Sequence, residues 1–345
     1  MNVRKILVTG ASGFIGTNLI EYFIKKKIDF LNFDKTEPIK STHFEYWQKG
    51  NLLEKETLYD VLNNYRPNII IHLAARTDCD SNKVEDYLDN TQGTQNLIDC
   101  CKDFDFVERI IITSTQYVYK SKTKPFPFHD SEYLPHTTYG ESKVITEEIV
   151  RNAMLNCVWT IVRPANVWGP WHMRYPNELW RMIDKGFYIH PGKKEVVRTY
   201  AYVKNVVHQL TAIIDAPVEQ VKEKTFYLGD LPIDSYEWLN SLSLSMRDKK
   251  IRRIPIFVFA IPAFFGTLIR KIGIPFPLYN TRYKNMIEDY YAPTNITIRS
   301  FGVYNNDLDE NVKETVEWLK GDGAKYFPYW SSKQRRFKIK KTKQN

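Results

Sequence analysis

Three glycines constrain this chain more than any other feature. Gly10, Gly13 and Gly16 follow the apolar run Ile6-Leu7-Val8-Thr9 and open a helical pattern over residues 14–26. Small residues in such a turn let the backbone approach a pyrophosphate, and the helix N-terminus beyond supplies free N–H groups and positive dipole. Asp34 ends the next strand-like run, eighteen residues past Gly16. There a carboxylate accepts hydrogen bonds from an adenosine ribose and repels a 2′-phosphate, which favours NAD over NADP. The adjacent Lys35 pulls the other way.

Apolar strands alternate with helical patterns through the first half. Strands are predicted at 6–9, 28–34, 68–73, 109–113 and 158–163, and helices at 14–26, 84–101 and 138–154. The run Ile69-Ile70-Ile71 is apolar at successive positions, as in a parallel strand covered on both faces. The fold class expected is α/β, a doubly wound parallel Rossmann sheet with a smaller mixed C-terminal substrate lobe. After Pro164 the period changes to longer loops rich in Trp, Tyr and Pro, with a helix at 203–214, a strand at 225–228 and a helix at 235–246. Residues 1–165 are expected to form the NAD-binding domain, with 196–229 returning to it. Residues 166–195 and 230–330 are expected to form the substrate lobe, and 331–345 a disordered basic tail.

The chemistry rests on Tyr139 and Lys143. Four residues apart on a helix, they project from one face, where an ammonium lowers the pKa of a phenol and lets it shuttle protons near neutral pH.

Together these motifs resemble the extended short-chain dehydrogenase/reductases, specifically the NAD-dependent epimerase/dehydratase branch that works on nucleotide sugars. The resemblance covers residues 3–230. Thr9-Gly10-Ala11-Ser12-Gly13-Phe14-Ile15-Gly16 resembles the TGxxGxxG turn, Ile71-His72-Leu73-Ala74-Ala75 the cofactor-lining strand end, and Asn90-Thr91-Gln92-Gly93-Thr94 the helix behind the active site. Tyr139 to Lys143 resembles YxxxK, and Arg163-Pro164-Ala165-Asn166-Val167-Trp168-Gly169-Pro170 the entry to the substrate lobe. The resemblance implies NAD contacts from Gly10, Ser12, Gly13, Phe14, Ile15, Gly16, Asp34, Asn51, Leu52, Leu73, Ala74, Ala75, Asn90, Tyr139, Lys143 and Pro164. Asn51 stands where the family commonly has an Asp at the adenine. Thr115, four residues before the Tyr of Val118-Tyr119, takes the role of hydrogen-bonding the reacting sugar oxygen. Ser114 is the next candidate for it, and Thr113 is expected to be structural.

Sugar 4,6-dehydratases of this branch carry an Asp-Glu pair after that Thr. Here Gln116 and Tyr117 stand there, so the general acid and base needed to eliminate water are missing. The reading expected first is a 4-epimerase acting on a nucleoside-diphosphate hexose through a transient 4-keto sugar, and a 4,6-dehydratase is kept only behind the alternatives. A 4-keto-sugar reductase or dehydrogenase using the same residues is the alternative, and a non-catalytic dinucleotide-binding protein is a third reading. Arg198 matches the position that grips the nucleotide diphosphate, and an interlobe salt bridge is its other reading. Asn166 is a candidate for a phosphate or sugar hydroxyl. Trp168, Trp171 and Trp180 are either stacking platforms or core. His72 reads as a packed strand residue, and His172 and His190 have no defined partner. The family further implies a homodimer through a four-helix bundle that includes the Tyr139 helix.

The formal net charge is +9, but residues 333–345 carry seven Lys/Arg and no acid, leaving +2 for the other 332 residues. The basic balance therefore belongs to a tail, and no nucleic-acid-binding face is expected. Cys79, Cys100, Cys101 and Cys157 lack zinc-ligand spacing and form no disulfide framework, so no metal is expected and a reduced, cytoplasmic setting fits. The start lacks a signal-peptide pattern. Residues 254–269 are uncharged and too short to span a bilayer. They read as a buried helix pair, with a peripheral membrane contact as the alternative.

Overall fold

A computed structural model describes residues 4–120, 130–274, 276 and 278–334. The chain divides into two compact units: residues 1–167, 201–230 and 292–304 form the first, and 168–200, 231–291 and 305–345 the second.

Seven strands form the sheet of the first unit: β1 (Lys5–Thr9), β2 (Asp29–Asp34), β3 (Trp47–Lys49), β4 (Ile69–His72), β5 (Arg109–Thr113), β6 (Val158–Pro164) and β7 (Lys224–Leu228). All neighbours are parallel, in the order β7-β6-β5-β4-β1-β2-β3. The direction of winding reverses beside β1, which places a ligand crevice at the carboxyl ends of β1 and β4. The longer helices of this unit are α1 (Phe14–Lys26), α2 (Lys55–Tyr65), α3 (Gln92–Lys102), α4 (Thr138–Arg151) and α5 (Val203–Asp215).

The central strands are largely apolar because alternate side chains enter two different cores. Ile6, Val8, Ile69, Ile71 and Val162 pack with Leu19 and Phe23 of α1 and Val206 and Leu210 of α5. Leu7, Ile70, Ile110, Ile112 and Ile161 pack with Leu58 of α2, Leu97 of α3 and Val150 of α4. Each such side chain, fully buried, contributes about 1.5–3 kcal/mol.

Four expectations are corrected here. The predicted helix over 84–101 is two elements, a 3-10 turn at Val84–Tyr87 and α3. The break falls at Asn90, whose side chain bonds outside the helix, to Arg76 and Ser142. Second, residues 292–304 belong to the first unit and not to the substrate lobe. The short helix Asn295–Phe301 ends with Phe301 edge-on to Phe226 at 5.0 Å and its carbonyl 3.0 Å from His208 Nε2.

Third, residues 331–334, expected within the disordered tail, continue a helical segment. Lys333 Nζ lies 2.5 Å from Asp184 there. The remainder of the tail, 335–345, lies outside the described residues. Fourth, the uncharged run at 254–269 is no buried helix pair. It enters a single helix, α7 (Phe257–Lys271), in which only Ala263 and Gly266 are buried. The second unit also contains α6 (Ser235–Arg247), α8 (Asn280–Ile287) and α9 (Leu308–Lys320). Its aromatic core has Tyr200 stacked on Trp238 at 4.2 Å and Trp168 edge-on to Trp238 at 5.8 Å.

Candidate active site

The sheet's carboxyl ends open into a cleft of about 420 Å³, lined entirely by residues of the first unit. The turn after β1 forms its floor. Gly10 has φ +74°, and a Cβ there would lie 2.4 Å from the backbone of Ala74, so neither the conformation nor the space admits a side chain. Two side chains of β2 brace the turn, Asn32 fully buried and Asp34 half-buried. Asn32 Oδ1 accepts the Ala11 N–H at 3.1 Å while its Nδ2 donates to Ser12 Oγ at 3.1 Å. Asp34 accepts the N–H groups of Ser12 at 3.0 Å and Thr36 at 2.9 Å, while burial pushes its carboxyl above the usual value. Lys35, which argued for a phosphate, pairs instead with Asp89 at 2.7 Å.

Thr115, Tyr139 and Lys143 line the same cleft. Thr137 caps α4 by accepting the Gly140 N–H at 3.0 Å, which brings Tyr139 into the first turn. Gly140 must be small, because a Cβ would meet the Tyr117 carbonyl at 2.5 Å. Thr115 caps the next 3-10 turn by accepting the Tyr117 N–H at 3.3 Å and hydrogen-bonds the Tyr139 phenol.

The electrostatics differ from the expectation that Lys143 makes Tyr139 more acidic. Burial pushes the phenol above its ordinary pKa, opposed by the Thr115 hydrogen bond. Burial also pulls the Lys143 ammonium down to about 8, against the attraction of Glu147. Lys143 Nζ and the hydroxyls of Thr113 and Ser114 are buried with no hydrogen-bond partner among the described residues. Thr113, expected to be structural, lines the cleft, and its hydroxyl is one of these buried, unpartnered groups.

The other expected residues separate cleanly. Ser12, Gly13, Phe14, Ile15, Gly16, Asn51, Leu52, Leu73, Ala74, Ala75 and Pro164 line the cleft. Asn90 does not: its amide is consumed by the Arg76 backbone and Ser142 Oγ, at 2.7–3.0 Å. It ties the loop after β4 to α4 and so shapes the cleft from behind. Asn166 lies between the cleft-lining Ala165 and Val167 without lining it. Thr36, Thr77 and Asp89, which do line it, sit in loops with no motif to announce them.

His72 is fully buried between Thr9 Oγ1 at 2.7 Å and Thr94 Oγ1 at 3.0 Å. Thr94 donates its proton to the Asn90 carbonyl, so it accepts from His72 Nε2–H and Nδ1 accepts from Thr9. Burial drops this imidazole to about 3, and it stays neutral.

In the second unit, Arg198 Nη2 reaches the Glu288 carbonyl at 3.5 Å, and its Nε is buried with no partner. No carboxylate among the described residues pairs with it. Trp168, Trp171 and Trp180 are buried and belong to the aromatic core. His172 accepts the Tyr175 N–H at 3.0 Å and stacks on that ring, and His190 is buried and pulled down to about 4 by that burial.

The fold is that of an extended short-chain dehydrogenase/reductase. Residues 6–229 match the NAD dependent epimerase/dehydratase family, and the chain belongs to it. It is 27% identical to a dTDP-D-glucose 4,6-dehydratase of Dictyostelium discoideum over 246 residues, 61% of this chain and 56% of that protein. It is 31% identical to the N-acetyl-alpha-D-glucosaminyl-diphospho-ditrans,octacis-undecaprenol 4-epimerase of Escherichia coli O157:H7 over 209 residues, 59% of this chain and 60% of that protein. The chain thus matches less than two thirds of either relative's length. A UDP-glucose 4-epimerase of Thermotoga maritima superposes with TM-score 0.71, covering 92% of this chain and 99% of that one, at 21% identity. At that identity the likeness is one of fold.

NAD is the family's cofactor, and the cleft fits it. Gly10 and Gly13 leave a cradle without side chains, Asp34 keeps a carboxylate at the end of β2, and Lys143 carries an unpartnered ammonium.

Proposed function

We propose that the protein is an NAD-dependent 4-epimerase of a nucleoside-diphosphate hexose. The observation that carries this reading is one cleft containing Thr115, Tyr139 and Lys143 beside the glycine turn, with Gln116 and Tyr117 where a dehydratase needs carboxylic acids. Bound there, NAD supplies the acceptor and then the donor of the C4 hydride. Asp34 holds the adenosine ribose, and Lys143 the nicotinamide ribose. The Lys143 ammonium, with the positive charge of a bound nicotinamide added to its own, would favour the phenolate against burial; in that state Tyr139 Oη accepts the C4 hydroxyl proton, and it returns it after the 4-keto sugar has turned its other face. Thr115 holds the reacting oxygen against that phenol and polarises it. Arg198, with an unused guanidinium N–H, is the grip on the diphosphate, and Asn166 is proposed to take a sugar hydroxyl or phosphate. The active form proposed is a homodimer through a four-helix bundle including α4.

The test begins with protein purified without added cofactor, whose absorbance and released nucleotide are recorded before incubation with UDP-, dTDP- and GDP-hexoses. Retained NAD, interconversion of 4-epimers and no net NADH are expected. A protein that empties and consumes NADH only with a 4-keto sugar would be a reductase. Tyr139→Phe is expected to keep NAD binding while turnover falls about 10²–10⁴-fold, the usual contribution of a positioned acid–base group. Undiminished turnover in that variant would refute the assignment.

A further inference from the structure

A surface helix of a soluble protein ordinarily turns its bulky apolar side inward. Helix α7 is reversed. Its inner line is small: Ala263 and Gly266 are the buried residues, a Cβ on Gly266 would lie 1.9 Å from the Leu278 carbonyl, and Thr267 Oγ1 accepts the Asn280 N–H at 2.9 Å. Close packing of these small residues leaves the large ones outside. Phe257, Ile261, Phe264, Phe265 and Leu268, with Ile272 just beyond, are 45–73% exposed. A contiguous apolar face of this kind marks an interaction surface.

Charge identifies the occupant. From Lys249 to Ile287 there is no Asp or Glu, although the chain has 40 of them, and there are eight Lys/Arg. Arg252, Arg270, Lys271 and Lys284 are exposed, and none pairs with a carboxylate among the described residues. Arg253 and Arg282 reach Asp234 and Glu178 only at 3.6 and 3.7 Å. Apolar bulk between cations matches a surface with an oily interior and anionic groups at its rim. A second copy is a poor match, because a two-fold contact would set these cations against themselves. Fifteen residues rise about 22 Å, short of the roughly 30 Å hydrocarbon core, so the helix lies along such a surface.

We propose that α7 docks the protein on an anionic lipid bilayer, its Phe and Ile side chains entering the acyl boundary and its flanking cations meeting lipid phosphates. This goes beyond the proposed reaction and does not depend on it.

Flotation of the full chain with vesicles tests it, using phosphatidylcholine alone and an equal mixture with phosphatidylglycerol. Binding is expected to be about tenfold stronger to the mixture and to fall as salt shortens the screening length from about 10 Å at 0.1 M to about 3 Å at 1 M. Phe264→Asp/Phe265→Asp, at exposed sites, should lose vesicle binding about tenfold with melting temperature and NAD binding unchanged. A chain ended at Gln334, lacking the basic tail, should still float. The proposal fails if the wild type does not float, if the double variant floats equally well, or if removing the tail alone abolishes binding. It also fails if the double variant halves the mass in solution while the wild type ignores vesicles, which would make α7 a contact between copies.

Discussion

Burying the Lys143 ammonium without a hydrogen-bond partner is unfavourable unless a ligand completes it, and that penalty is measurable. Its pKa of about 8 in the folded protein lies below the 10.5 of an exposed lysine. Between those values the unfolded chain holds more protons, so the stability contributed at this residue rises with pH; below 8 the whole penalty is present. Lys143→Met removes the ammonium. Between pH 8 and 10.5 the cofactor-free wild type should gain on this variant by up to about 3 kcal/mol, read from urea midpoints, and a constant gap would contradict the assignment. The expectation that Lys143 acidifies Tyr139 treated the pair as if in water. A phenol removed from solvent keeps its proton more tightly, and here that effect outweighs its neighbours.

Among the elements, α4 sets the geometry of the proposed catalytic pair, with Tyr139 in its first turn. Thr137→Ala removes the cap on Gly140 N–H and should lower stability by about 1 kcal/mol. Because Tyr139 sits two residues on, turnover should drop more than the stability loss alone accounts for, which kinetics at a temperature well below melting would reveal. Local necessity made much of this region legible in advance. Gly10 announces its turn because nothing larger fits against Ala74, and β4 announces its burial because both faces are covered.

Long-range partnerships were not legible. Asn32 and Asn90 look like ordinary polar residues until the backbones of Ala11 and Arg76 are brought to them. Helix α2 is absent from the sequence expectation although Leu58, Val61 and Leu62, all buried, have helical spacing. The run at 254–269 was read inward because an uncharged stretch resembles core. What turns it outward is the small line at Ala263 and Gly266, whose partner Leu278 lies in a separate stretch of chain.

At the scale of the whole molecule, Arg163 locks the first unit together. It is fully buried and meets Glu147 at 2.8 and 2.7 Å, while also reaching the Tyr227 hydroxyl and the Asp130 carbonyl. Among the described residues, Arg163→Met leaves the buried Glu147 carboxylate only the Tyr133 hydroxyl at 3.1 Å and Arg151 at 3.6 Å and should destabilise by about 3 kcal/mol, whereas Arg163→Met/Glu147→Leu should recover most of that. Urea unfolding of both variants measures the difference, and equal losses would mean that packing, not the stranded charge, is responsible.

The first unit is assembled from three stretches of chain. A fragment ending at Val167 lacks β7 and α5, which leaves β6 as an open edge and the Ile6–Phe23 core uncovered. It should unfold without a cooperative transition by circular dichroism. The same threading governs how such an enzyme can be re-engineered or can diverge. The second unit is not a detachable half: it is drawn from inserts at 168–200 and 231–291 and from the stretch that begins at 305. A chimaera joined at one crossover would inherit part of one core and part of another. With the second unit as the proposed substrate lobe, new specificity arrives stretch by stretch, within a nucleotide-binding body that each exchange leaves whole.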